Sequence, residues 1–324
     1  NGEYVNGRPF KGKSVNFYEG GQVERFENYL DGQLTGEWKM FYENGQVRSS
    51  KNYLEGQLTG EWKFYYENGQ LSSFDNYLNG NRTGESKSYF ENGQLTSIRN
   101  YLDEKLTGES KTYYESGQLQ EIGNYSGKGR AAVSKIGEYK TYYENGELAS
   151  IDNYLDDSYL DEKKEYYNNG NLKEVGKYLR DNQKKEIKKY YETGQLMSSS
   201  IPSAINREFK EYYENGQLER FRNGNESKEY YKNGQRKHIG NHLGYKKNGD
   251  WIEYYENGQI KTAGNYVDGR KKGVWKEYYE NGQLNTAGNY VDGAKKGEWK
   301  EYLESGQLNA IGNYSGLTDM AYLG

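Results

Sequence analysis

The chain has 324 residues, only 33% of them hydrophobic, and its 44 basic and 48 acidic residues leave a net charge of -4. The two signs are intermixed along the chain, which excludes a basic block able to track a phosphate backbone and argues against a nucleic-acid ligand. The absence of Cys excludes disulfides, thiolate metal sites and a cysteine nucleophile, and no apolar run approaches the ~18 to 20 residues that carry a helix across a bilayer.

Residues Asn1 to Phe10 read neither as a signal peptide nor as a translation start, so an N-terminal segment is expected to have been removed. Beyond them, Glu-Asn-Gly-Gln and close variants recur with a turn glycine at 21, 45, 69, 93, 117, 146, 170, 194, 216, 234, 258, 282 and 306, mostly 24 residues apart. A fixed period of this length is one supersecondary unit stacked many times. Such polarity would ordinarily signal disorder, but 37 Tyr in a strict pattern point to a thin, tyrosine-built core.

The unit from Gly60 to Gly80 shows the pattern. Two aromatic-rich segments, 61 to 67 and 70 to 77, flank Asn68-Gly69, which predicts a two-residue type I′ hairpin turn with φ > 0 at both positions. Gly45, Gly69, Gly93, Gly258 and Gly282 are the structural turn residues of the regular units. That turn sets an expected register in which Glu67 faces Gln70, Tyr66 faces Leu71, Tyr65 faces Ser72, Phe64 faces Ser73, Lys63 faces Phe74 and Trp62 faces Asp75. Alternation then puts Trp62, Phe64, Tyr66, Leu71 and Tyr77 on an apolar face, and Lys63, Tyr65, Glu67, Gln70 and Phe74 on a mixed one. Leu78-Asn79-Gly80 through Gly84 reads as a short link to the next unit.

The fold class that follows is all-β: an elongated single-layer antiparallel sheet of about thirteen tandem hairpins, twisted or curled as a ribbon. At two strands per unit a regular array would be roughly 125 Å long. Glycines such as Gly36, Gly60, Gly84, Gly273 and Gly297 let the backbone bend, with the Trp/Tyr/Leu face inward. The array is continuous but divides into regular repeats over 1–125, irregular repeats over 126–248, and regular repeats with a C-terminal cap over 249–324. The irregular part has an insertion (Ser126 to Lys135), lost linker glycines (Asp156 to Glu162), a stretch with Pro202 (Ser198 to Arg207) and a spacing of 18 residues between Gly216 and Gly234; a kink or joint is expected between 198 and 248.

The pattern G-E-W-K-x-Y-Y-E-N-G-Q-L followed by N-Y-x-x-G, plain at Gly36 to Gly60, Gly60 to Gly84, Gly249 to Gly273 and Gly273 to Gly297, resembles the bacterial variant of the MORN repeat. Similar proteins are often labelled antitoxins of toxin-antitoxin systems. The resemblance implies β-hairpin ribbons used for protein binding, and many bacterial relatives are exported.

A search for chemistry finds rows rather than a singular constellation. His238 and His242 lie on one side of an extended segment, with His242 at the position of Tyr266 and Tyr290, and read as ordinary substitutions with no third metal ligand. The Glu row two before each turn glycine, including Glu67, Glu91 and Glu256, is spaced two strands apart, too far to share one cation. It runs beside the Lys row (Lys63, Lys87, Lys111 and their equivalents) and is expected to cancel that row's attraction for anionic lipid. Trp38, Trp62, Trp251, Trp275 and Trp299 are needed as core, whereas Tyr65, Tyr89, Tyr113, Tyr142, Tyr254 and Tyr278 form the candidate partner surface. Gly127 to Arg130 lack the context of a phosphate loop.

The sequence therefore reads as a non-enzymatic repeat scaffold with no cofactor, binding a protein partner through an extended Tyr-rich and charged surface, secreted or at the bacterial cell surface. A cytoplasmic antitoxin or immunity-type inhibitor, and glycan binding in an aromatic groove, are the alternatives. Self-association through open sheet edges is a further expectation.

Overall fold

The structure, a computed structural model, describes residues 4–5, 8–127, 134–156, 159–179, 183–202 and 207–316. The expected insertion at 126–135, the linkers at 156–162 and 198–207, the discounted glycine-rich stretch at 127–130, the N-terminal residues 1–10 and the cap at 315–324 therefore lie wholly or partly outside the described residues.

Among the described residues there is no helix, and 28 strands form one antiparallel sheet running from Gly12–Phe17 to Leu308–Ser315. The sheet is not closed: Leu308–Ser315 pairs with Ala294–Tyr302 and Gly12–Phe17 with Val23–Leu30. The tandem hairpins expected from the period are thus present. The chain divides into two compact units, Asn1–Gly170 with Tyr178–Gln183, and Asn171–Lys177 with Lys184–Gly324.

The turn chemistry differs from the expectation. Asn68 is not among the residues with positive φ, while Gly69 has φ 85°. Gly69 N–H donates to Tyr66 O (2.9 Å) and Tyr66 N–H donates to Gln70 O (2.8 Å). This is a type I turn over Glu67-Asn68 closed by a left-handed glycine, the three-residue hairpin loop, rather than a type I′ turn. The side chain of Asn68 explains the choice. Its Oδ1 accepts the Gln70 N–H (2.9 Å), and the equivalent Asn44 also donates from Nδ2 to Glu67 O of the next repeat (3.0 Å). The same φ recurs at Gly45 (85°), Gly93 (88°), Gly258 (88°) and Gly282 (83°).

The type I′ pairs sit instead in the links, where Asp31-Gly32, Glu55-Gly56, Asn79-Gly80, Asp268-Gly269 and Asp292-Gly293 all have φ > 0 at both positions. They join Leu54 to Gln57, Leu78 to Asn81 and Val267 to Arg270 as closing pairs.

The three-residue loop shifts the register nearest the turn. Trp62↔Asp75, Lys63↔Phe74 and Phe64↔Ser73 pair as expected, but Tyr65 faces Leu71 rather than Ser72. Leu71 therefore lies across from Tyr65 and not across from Tyr66, and the expected apolar face loses it. Tyr66 instead sends its hydroxyl to Tyr89 O of the next repeat (2.7 Å).

Between repeats the ladder bulges. Asn52 pairs with Thr59 and Ser50 with Lys63, so Lys51 alone stands opposite Gly60, Glu61 and Trp62. The bend expected at the linker glycines is located here, with Gly60 at φ 73°.

Candidate functional site: a ladder face, a partner face and a gap

Two positions generate one face of the sheet: the residue seven before each turn glycine and the residue six after it. In the second unit these are Trp251, Trp275 and Trp299 against Gly240, Gly264 and Gly288. A Cβ on Gly264 would lie 2.2 Å from the Trp275 ring, so only glycine lets the indole lie flat on the preceding strand. The three indoles are 3%, 1% and 2% exposed. Each meets tyrosine rings edge-on, Trp275 at 5.0 Å from Tyr266 and 6.1 Å from Tyr290 between centroids. Lys247, Lys271 and Lys295 cap the indoles with Nζ at 3.9, 4.3 and 4.2 Å. The Trp275 and Trp299 N–H groups donate to Asn265 O and Asn289 O. Buried this way, the three indoles have no face free to stack on a sugar ring.

In the first unit the glycine position carries charge instead, at Glu27, Lys51, Asp75 and Arg99. Glu27 accepts the Trp38 Nε1–H (2.8 Å), and Lys51 places Nζ 4.2 Å from the Trp38 ring and 4.7 Å from that of Trp62. Asp75 meets Ser86, and Arg82 binds both, laying its guanidinium 3.7 Å over Tyr101. One repeat further, Ser110 again stands where a ring belongs, the capping position holds Leu106, and Arg99 has no ion-pair partner among the described residues. A cavity of about 320 Å³ opens there, lined by Arg99, Tyr101, Leu106, Ser110, Tyr125 and Tyr139 among others. The ladder resumes at Tyr139, which lies on Gly123, carries the Lys135 ammonium at 3.4 Å and donates to Glu121 (2.5 Å). Burial, reinforced by the Glu121 carboxylate, pushes the Tyr139 phenol well above its ordinary value.

The opposite face carries the six candidate partner residues. Tyr65, Tyr89, Tyr113, Tyr142, Tyr254 and Tyr278 are half-buried, and none of their hydroxyls has a protein partner among the described residues. Their backbone carbonyls are occupied: Tyr42, Tyr66, Tyr114, Tyr231 and Tyr255 donate hydroxyls at 2.7–2.9 Å to the carbonyls of Tyr65, Tyr89, Tyr142, Tyr254 and Tyr278. Tyr113 alone is passed over, because Phe90 stands where the donor tyrosine belongs. Beside this row, Lys39, Lys63, Lys87, Lys111 and Lys140 each bond a Glu two residues earlier on the same strand at 2.6 Å. Hydrogen bonding to Glu61 raises the Lys63 ammonium above its ordinary value. The lysines are thus neutralised by Glu37, Glu61, Glu85, Glu109 and Glu138, not by the Glu67 row as the sequence suggested; Glu67 lies in the turn. At the linker end of the same face, one leucine per repeat stands out, Leu54 62%, Leu78 59% and Leu102 61% exposed.

With these repeats in place, the match to known families is informative. The model of the MORN repeat variant matches residues 34–55, 58–79, 82–103, 106–126, 135–156, 162–179, 208–220, 247–268, 271–292 and 295–315, more than half of the chain. The chain belongs to the MORN repeat variant family. No curated protein matches it. Among solved structures, the MORN array is similar over 93% of its length to the Photorhabdus luminescens Tc holotoxin pore (12% identity, TM-score 0.19) and to a TcdB2-TccC3-Cdc42 complex (12% identity, TM-score 0.18). It spans only 18% and 17% of those chains.

Within the MORN array the two histidines belong to the ladder. His238 stacks on Trp251 at 4.7 Å and His242 meets its edge at 5.4 Å, so His242 does stand in for the tyrosine of other repeats. Burial holds both imidazoles below the ordinary histidine value, with Glu229 opposing the shift at His238. Three features escaped the sequence reading. The tyrosine hydroxyl to carbonyl bonds require knowing which strand of the next repeat lies under each ring. The glycine shelf was legible in principle, since Ala-Gly-Asn-Tyr accompanies Trp in the second unit and charge replaces the glycine in the first. The Ser110 gap was legible as a break in the row of rings.

Proposed function

We propose that this MORN array is a non-enzymatic scaffold that grips a protein partner through the face bearing Tyr65, Tyr89, Tyr113, Tyr142, Tyr254 and Tyr278. The observation that carries the reading is the coincidence, on one face of the first unit, of phenol hydroxyls without a partner among the described residues and the exposed row Leu54, Leu78 and Leu102. Phenols and leucines repeated every two strands give many similar contacts that sum along the face of a unit, while the internally paired Lys and Glu leave little net field to compete. The other face spends its aromatics on the ladder. An exported or surface-bound array is part of this proposal; it rests on the resemblance to exported bacterial relatives and is tested by fractionating cells that make the full-length protein.

The docking face is tested with a photoreactive benzoylphenylalanine placed at Tyr89 or, on the ladder face away from any cavity, at Tyr53 in the producing cell. A discrete protein adduct from position 89 and none from position 53 is expected; adducts only from position 53 would overturn the assignment. With the partner in hand, L54S/L78S/L102S is expected to weaken binding more than tenfold without lowering thermal stability.

A further inference from the structure

The ladder face has a defined vacancy. Trp275 sits between Tyr266 and Tyr290, and Trp299 between Tyr290 and Tyr314, at 5.0 Å from the first tyrosine and 6.1 Å from the second. Ser110 occupies the corresponding place between Tyr101 and Tyr125, and no ring fills it. The neighbouring vacancy at Ser86 is closed, because the Arg82 guanidinium, held by Asp75, lies over Tyr101. At Ser110 the residue equivalent to Arg82 is Leu106, which caps the space without entering it, and the cavity of about 320 Å³ remains. That is the low end of ligand-pocket volumes, enough for one side chain.

The lining says what would fill it. Tyr101, Tyr125 and Tyr139 offer ring edges and faces, and Leu106 an apolar wall. Glu121 already accepts the Tyr139 hydroxyl and Glu104 the Arg82 backbone N–H, so each carboxylate has a donor within the chain. Arg99 at the rim is exposed and has no ion-pair partner among the described residues, which leaves its guanidinium open to an anion. Trp62 beside Lys51 shows that an indole and a long basic residue share this pair of positions in the same unit.

We propose that the Ser110 gap is a specificity pocket for an aromatic side chain of the partner protein, its ring completing the ladder between Tyr101 and Tyr125 and an adjacent carboxylate pairing with Arg99. This rests on the reading of the array as a protein-binding scaffold and adds a second, sequence-selective contact on its other face. Ring insertion buries most of an aromatic surface, and the charge-assisted bond to a guanidinium selects an acidic neighbour.

The test titrates the intact protein by NMR, following the ring signals of Tyr101, Tyr125 and Tyr139, with four probes: a capped Ala-Trp-Asp-Ala peptide, its Ala-Trp-Asn-Ala counterpart, free tryptophan and tetramethylammonium. The acidic peptide is expected to shift all three tyrosines, with the Asn peptide several-fold weaker. R99Q is expected to abolish that difference, and S110W to abolish binding of both peptides while raising the melting temperature. Binding of tetramethylammonium in place of the peptides would show a cation cage and overturn the proposal, as would binding of free tryptophan alone, which would mark a small-molecule site. Absence of any shift at 10-fold excess over millimolar protein-ligand affinity (about 10 mM probe) would also overturn it. R99Q keeps the test decisive if S110W fails to fold, and crosslinking at Tyr89 is unaffected by either variant, so the scaffold reading stands or falls separately.

Discussion

The second unit and the first solve the same packing problem with different chemistry. From Gly240 to Tyr314 each indole rests on a glycine of the preceding repeat and under a lysine, between two tyrosines or, for Trp251, between His242 and Tyr266, and is almost wholly buried. From Glu27 to Arg99 the glycine is replaced by a charged residue, and the residue it meets changes with it: Trp38 hydrogen-bonds Glu27, Trp62 lies beside Lys51, and Ser86 bonds Asp75. Trp62 Nε1 has no partner there, whereas its counterparts at 275 and 299 each reach a carbonyl. The identity of one residue thus decides what its neighbour 11 to 16 positions on can be. In a thin sheet of this kind the pair, rather than the single repeat, is the unit of packing.

Six substitutions break or sharpen that contrast. The largest effect is expected from W275A, which removes a 1% exposed indole and costs about 3–5 kcal/mol, against less than half of that for W62A, whose ring is half-buried; urea denaturation followed by local hydrogen exchange separates the two units. G264A forces a Cβ to within 2.2 Å of the Trp275 ring, at a cost of about 1–3 kcal/mol, whereas D75A in the first unit meets no ring and is expected to cost less by the same measurement. F90Y restores the one missing donor and is expected to add about 0.5–1.5 kcal/mol through a bond to Tyr113 O, with Y66F losing a similar amount.

The smallest effect is the pH dependence of the Trp251 stack. His238 and His242 are both held below 6.5 by burial, so as pH falls below that value the unfolded chain takes up protons the folded one resists. Stability from these groups is complete above 6.5 and is lost as pH falls through the depressed folded values. A falling melting temperature of the second unit between pH 7 and 5, flattened in H238F/H242Y, is the expected result. Glu229, Glu253, Lys247 and Arg222 face the pair and set its residual slope.

Period, strand alternation and the role of the turn glycines were legible in the sequence, because a 24-residue repeat and Gly at φ near 85° leave few alternatives. The turn type was not. Asn-Gly satisfies type I′ in isolation, but Asn44 and its equivalents hold a different loop by bonding to the next repeat, a contact no single hairpin contains. The same limit hid the true partners of Lys63 and its row, which lie two residues away on one strand and not at the turn. The break at Ser110 in the row of rings was legible in the sequence, but the cavity it opens followed only once neighbouring rings had positions.

Native-state hydrogen exchange tests the ladder account most directly. Amides of Arg270–Tyr278 and Ala294–Tyr302, under complete rings, are expected to exchange more slowly than those of Lys105–Tyr113, which flank the gap, and S110W is expected to slow the last strand toward the rate of the other two. Equal protection of all three strands in the unmodified protein, or no gain in S110W, would contradict it.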